Sequence, residues 1–291
     1  MIFTPEVDVF LKYLETRNKF RKSNTELIRQ NIFESPENII VFNKDFINTI
    51  ESIIDEDHYL KDSCNQYIKK LIDSIDNGSI NAGLNLDILE KEIVFRQLNQ
   101  YESENVLIGV SEKKENLEEN NRILNLNNIV RCNKNYIFSK LLTSQYCKIS
   151  YLDFEENSSV IPVLNHVYSL YNEINKVIII DRYRNLDHQI YDGLIEKSPI
   201  FDYYTKNIDL IGVKSIRDKL KRYKIYNTND PNLIHQRMII FNKVLITIDE
   251  DPYNILSRNT WTFTIEYSSD SISKIKENTC NYFTSTLHTK S

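Results

Sequence analysis

The residues best suited to chemistry are His235-Gln236-Arg237, set within Leu233-Ile234-His235-Gln236-Arg237-Met238-Ile239-Ile240-Phe241 and followed at once by the apolar run Val244 to Ile248. Two chemically capable side chains thus interrupt what reads as a hairpin built for burial. In an extended strand, residues i and i+2 point to one face, so His235 and Arg237 could both reach one ligand. A histidine can act as a nucleophile or move a proton, and a guanidinium binds an oxyanion with a two-pronged fork. The blander reading is a hairpin histidine hydrogen-bonded to a nearby carboxylate such as Asp181 or Glu266.

Other groups offer less. Asp187-His188, with Asp181, Arg182 and Arg184, would form a polar cluster at the C-terminal end of the apolar strand Val177 to Ile180, the end where α/β proteins bind ligands. Asp249-Glu250-Asp251 could supply oxygen ligands to a hard cation, or be an acidic turn after a strand. Lys214, Arg217, Lys219, Lys221 and Arg222 line a predicted basic helix with Tyr223 and Tyr226 beside it. They are the candidate nucleic-acid-binding residues, against the default of a solvated helix face. His58, His166 and His288 lack partners at ligand spacing, and five glycines leave little room for a phosphate-cradling loop. No metal and no cofactor is implied.

Composition narrows the classes further. With 36 basic and 41 acidic residues the formal net charge is -5, so no global field draws the chain to nucleic acid or anionic membrane, although local patches can. Cys64, Cys132, Cys147 and Cys280 are scattered, which predicts reduced thiols rather than a zinc or redox motif. The N-terminus lacks a signal-peptide pattern, and no run approaches the ~18 apolar residues of a membrane span. The expectation is a cytoplasmic protein without membrane contact.

The elements that must position these residues follow from periodicity. Val7, Phe10, Leu11 and Leu14 predict a helix over 7–20, and Ser23-Asn24-Thr25-Glu26 has capping-box spacing for a second through Ile32. Lys19 to Lys22 form a basic stretch between them. A strand at Ile39 to Phe42, helices over 46–54, 60–75 and 86–98, and a strand over 105–110 come next. Ser111 to Arg122 is nearly free of apolar residues and reads as solvated. Ile129-Val130, Tyr136 to Phe138 and Lys148 to Leu152 are predicted strands. Later come a helix from Pro162 through Ile174, the strand Val177 to Ile180, a helix through Ile195, a strand Ile208 to Val213, the basic helix, a strand at Lys224 to Tyr226, the hairpin, a strand at Trp261 to Tyr267 and a helix over 272–283.

This alternation implies an α/β chain, a two-lobed α/β sandwich. A helix-rich N-terminal lobe would span 1–157 and a second lobe 158–291, with the boundary in the polar stretch Asp153 to Ser159. Leu107-Ile108-Gly109-Val110 recurs as Leu210-Ile211-Gly212-Val213. Two related lobes about a pseudo-twofold axis is the sharper reading of that repeat, and chance in an Ile-rich chain the blander.

His235-Gln236-Arg237 resembles the HxK core of the phospholipase D-like superfamily, and more closely the His-Asp-Arg variant of phospholipase D-like domains in bacterial antiphage-defence proteins. The resemblance covers roughly residues 160 to 285, where Ile178-Ile179-Ile180-Asp181-Arg182-Tyr183 looks like the Asp-x-Tyr strand end of those domains. It implies a phospholipase D-like C-terminal lobe in which His235 is the nucleophile, Arg237 holds the phosphate and a second histidine protonates the leaving group. The pattern departs at Asn242, where the family has Asp, and at Asp249-Glu250, where it has Gly-Ser and where two carboxylates would repel a phosphate. The equivalent stretch of the first lobe, Tyr136 to Leu142, has no histidine, so only a homodimer through the C-terminal lobe would bring two copies of His235 together.

Two readings follow from the resemblance. One is a recognition or regulatory subunit of a bacterial antiphage-defence system, built on a degenerate lobe, with a protein partner in a defence complex and nucleic acid as a ligand. The other is an active homodimeric phosphodiesterase or nuclease using His235 and Arg237. A plain interaction module without nucleic-acid contact is the third possibility.

Overall fold

The computed structural model describes residues 1–36, 38–55, 58–76, 82–85, 106–110, 123–129, 131, 133–154, 160–171, 174–181, 189–198, 200–206, 220, 222–228, 236–249, 262–278 and 285–290. It is an α/β chain that divides into two units, Met1–Thr143 and Ser144–Ser291. The predicted helix over 86–98 and the solvated stretch 111–122 lie outside the described residues.

The first unit is built on five parallel strands: β1 (Ile2–Pro5), β2 (Ile39–Asn43), β3 (Ala82–Asn85), β4 (Val106–Val110) and β5 (Ile123–Asn125), in the order β3-β2-β1-β4-β5. Parallel neighbours cannot be joined by a tight turn, so each needs a crossover. The described helices are α1 (Val7–Thr16), α2 (Asn24–Glu34), α3 (Lys44–Ile53), α4 (Lys61–Asp76) and α5 (Lys134–Ser144). The α1 stripe buries Val9, Phe10, Tyr13 and Leu14, and its rings pack with Phe33 of α2 and Tyr67 of α4. Tyr13 stacks on Phe33 at 4.5 Å, and Phe10 meets Tyr67 at 5.4 Å. Gly109 lets Phe3 lie against β4, since a Cβ there would come within 2.4 Å of the Phe3 ring. The predicted capping box forms: the Glu26 amide donates to the Ser23 hydroxyl, and the Ser23 amide donates to the Glu26 carboxylate at 2.7 Å.

The second unit holds an eight-stranded mixed sheet. Its strands are β6 (Tyr146–Ser150), β7 (Val177–Ile180), β8 (Ile200–Lys206), β9 (Arg222–Thr228), β10 (Arg237–Phe241), β11 (Val244–Ile248), β12 (Thr262–Tyr267) and β13 (Ser285–Lys290), in the order β13-β9-β8-β7-β10-β11-β12-β6. Only β7, β8 and β9 run parallel to one another; every other pairing is antiparallel. Its described α-helices are α6 (Ile161–Tyr168), α7 (Asp192–Lys197) and α8 (Ser269–Asn278). One sheet face buries Ile178, Ile180, Tyr204, Ile240 and Leu245 against Ile272 of α8. On β10 the alternate residue Phe241 packs edge-on to Tyr168 and Tyr171, at 5.8 and 5.9 Å.

Several expectations change. Tyr136 to Phe138 is helical, within α5: Asn133 Oδ1 caps the Tyr136 amide, and Ile137, Phe138, Leu141 and Leu142 form a buried stripe that three residues read alone do not reveal. The units divide at Thr143/Ser144 rather than at 157/158, because β6 pairs with β12 over five residue pairs. A strand lies at Ile200–Lys206, and the expected one at 208–213 falls outside the described residues. Arg222 starts β9, paired with Ile200, rather than ending a helix. The pseudo-twofold reading does not hold. One sheet has five parallel strands and the other eight mixed ones, and the stretch that the repeat needed as a hairpin strand is α5. None of the described helices is long and apolar enough to cross a membrane.

Candidate functional site

β7 reads Val177-Ile178-Ile179-Ile180 and is buried throughout, as a β-branched run covered on both faces should be. It ends at Asp181, whose amide still donates to Tyr204 O at 2.9 Å. β10 runs antiparallel beside it with Met238 opposite Ile180, so the next pair out is Arg237 and Asp181. The Arg237 Nε donates to Asp181 Oδ1 at 2.9 Å. Arg237 is 4% exposed and Asp181 0%, so the ion pair lies in the interior of the unit.

The register extends this pair into a row. Thr205 of β8 pairs with Asn227 of β9, Thr205 lies next along the ladder from Tyr204 and so beside Asp181, and Arg237 pairs with Ile248. Asn227, Thr205, Asp181 and Arg237 therefore run side by side across the sheet, at the carboxyl ends of its three parallel strands. That is where open α/β sheets place their ligands. Tyr203 is two residues back from Thr205 and so on the same face. The buried Tyr191, at the end of the 3-10 turn Gln189–Tyr191, closes on this group. Burial first, then the Asp181 carboxylate and Tyr203, push the Tyr191 phenol well above its ordinary value, so it stays protonated. Among the described residues neither the Tyr191 hydroxyl nor the Thr205 hydroxyl has a hydrogen-bond partner. Such a group costs free energy and calls for a partner such as a water molecule or a ligand.

The predicted site residues fare unevenly. Arg237 is described and buried; His235 lies outside the described residues, as do Lys214, Arg217, Lys219 and Lys221. Arg222 is an exposed strand residue. Arg182, Arg184, Asp187 and His188 also fall outside. Asn242 is an exposed residue of the two-residue turn closing β10 and β11, with φ 48°. It stands five residues along from Arg237, roughly 17 Å at strand rise, too far to act beside it on one small group. Asp249 is exposed and follows Ile248, the partner of Arg237, so strand alternation turns it to the opposite face from Arg237. Sequence reasoning missed Tyr191, Tyr203 and Thr205. The available signal was the i, i+2 spacing of Tyr203 and Thr205, hidden once the strand was expected at 208–213. Among the described residues no three His, Cys, Asp or Glu side chains converge as metal ligands would.

Comparison with known proteins adds the following. No family model and no curated protein matches the chain. Among solved structures, it is similar to TrmBL2, an archaeal chromatin protein described with a novel mode of DNA binding, at TM-score 0.31 and 9% identity over 76% of this chain and 65% of that one. The chain thus spans less than two thirds of that protein's length. NucT from Helicobacter pylori matches at TM-score 0.34 and 11% identity, over 47% of this chain and 93% of its own. Nuc from Salmonella typhimurium, a phospholipase D family member, matches at 0.34 and 9%, over the same shares.

Proposed function

We propose that the second unit is a phospholipase D-like lobe with a degenerate site, serving as a recognition or regulatory subunit in a bacterial antiphage-defence system. The observation that carries this reading is the Arg237–Asp181 pair. Phosphodiester chemistry of the kind the His-x-basic motif implies needs a cation offered to the phosphate oxygens. Here that guanidinium is buried, and its charge is met by a fully buried carboxylate of its own sheet. Asn242 is committed to a turn. The defence context is supported by the resemblance of His235-Gln236-Arg237 to the His-Asp-Arg variant.

Two measurements test the proposal. Purified full-length protein incubated with single- and double-stranded DNA, RNA and a phosphodiester reporter is expected to release no product, and His235→Ala to behave as wild type. Cleavage that His235→Ala abolishes would instead establish the active phosphodiesterase. In cells, loss of the gene is expected to raise phage plating, and the His235→Ala variant to restore protection in full.

A further inference from the structure

The turn between α1 and α2 reads Arg17-Asn18-Lys19-Phe20-Arg21-Lys22, with four cations, no carboxylate and one aromatic ring in six residues, in a chain whose net charge is -5. Phe20 is 99% exposed, the most exposed large hydrophobic among the described residues. The turn is held in place. Lys22 Nζ donates to Lys19 O at 2.9 Å, and Lys19 Nζ reaches Glu26 Oε1 at 3.0 Å, tying the turn to the α2 capping box. Arg17 lies over the Tyr13 ring at 5.8 Å. A second ring faces solvent in the turn before α4, tied to α1 through Glu15. Tyr59 is 74% exposed, donates its hydroxyl to Glu15 Oε1 at 3.2 Å and stacks on His58 at 4.7 Å.

We propose that this surface of the first unit binds single-stranded nucleic acid. Bases would stack on Phe20 and Tyr59, and Arg17, Arg21 and Lys22 would meet the phosphates. A single strand alternates flat apolar bases with charged phosphates, and an isolated ring set between cations, as Phe20 is, matches that alternation. A protein partner or a bilayer would favour a contiguous apolar patch, whereas every chain neighbour of Phe20 from Arg17 to Ser23 is polar or charged. The ordering of the turn by Lys19, Lys22 and Glu26 keeps the ring displayed before a ligand arrives, which lowers the entropic cost of binding. The inference stands independently of the reading of the second unit.

The test is fluorescence anisotropy of full-length protein with a labelled oligo-dT of about 20 nucleotides, at several salt concentrations. Phe20→Ala is expected to weaken binding at least about fivefold with an unchanged melting temperature, because one stacked base is lost at an exposed position. Arg21→Ala with Lys22→Ala should lower the slope of log K against log salt by about 1.4, two single-strand phosphate contacts. Phe20→Trp should keep binding and show indole quenching on addition of the oligonucleotide. The proposal is overturned by absence of binding at about 50 mM salt, by binding indifferent to Phe20→Ala, or by binding lost instead when Lys219, Lys221 and Arg222 become Ala. Phe20-dependent sedimentation with phosphatidylserine vesicles, without oligonucleotide binding, also overturns it.

Discussion

Removing the guanidinium of Arg237 would take its counter-charge from the fully buried Asp181 carboxylate. Breaking a buried pair from one side costs about 3–5 kcal/mol, whereas replacing both members with apolar groups is close to neutral. Arg237→Met is therefore expected to lower stability by about that amount, and the double variant Arg237→Met with Asp181→Leu to recover most of it, both read from urea unfolding midpoints. A double variant as unstable as the single one would show that the carboxylate is not what Arg237 serves. Both residues were legible in the sequence, as polar groups ending apolar runs. Their meeting was not, because 56 residues separate them and nothing local records which strand lies beside β7.

α2 shows what local chemistry can settle. Ser23 and Glu26 lie one turn apart, so their capping box acts within the helix and could be read directly. The Ser23 backbone N–H, followed by Lys19, holds the Glu26 carboxyl down at about 2, below its ordinary 4.5. Since the folded value is depressed, the stabilisation is present above about 4.5 and lost as pH falls toward about 2. Comparing thermal melts of wild type and Glu26→Gln over that window should show the wild type losing stability more steeply, with the two curves converging near pH 2. Parallel curves would exclude Glu26 as a source of acid sensitivity. α5 is the contrasting element. Tyr136-Ile137-Phe138 alone favours a strand, and the longer stripe through Leu142, with the Asn133 cap, makes it a helix.

The division of the whole molecule follows from strand pairing. β6 adjoins β12 through pairs running from Ser150–Thr262 to Tyr146–Glu266. A fragment of residues 144–291 is expected to elute as a single folded species, whereas 158–291 would bare the β12 edge and aggregate through it, as size-exclusion chromatography would show. Equal behaviour of both fragments would mean that β6 contributes nothing to the second unit. Composition and the alternation of periods were enough to call the chain α/β and two-lobed. They were not enough to place the boundary, because the polar stretch after β6 looks like a linker until its preceding strand is seen to pair forward.

By itself the sequence determined the start and buried stripe of α1, though the helix ends at Thr16 rather than at 20, together with the α2 cap, the buried β7 run and the β10–β11 hairpin, because each rests on interactions within one turn, one pleat or one tight connection. Only the tertiary structure decided that β8 separates β7 from β9, that β10 lies on the other side of β7, and that Asn227, Thr205, Asp181 and Arg237 form one row. The free energy of those pairings belongs to residues far apart in the chain and depends on both partners at once, so no single stretch carries it.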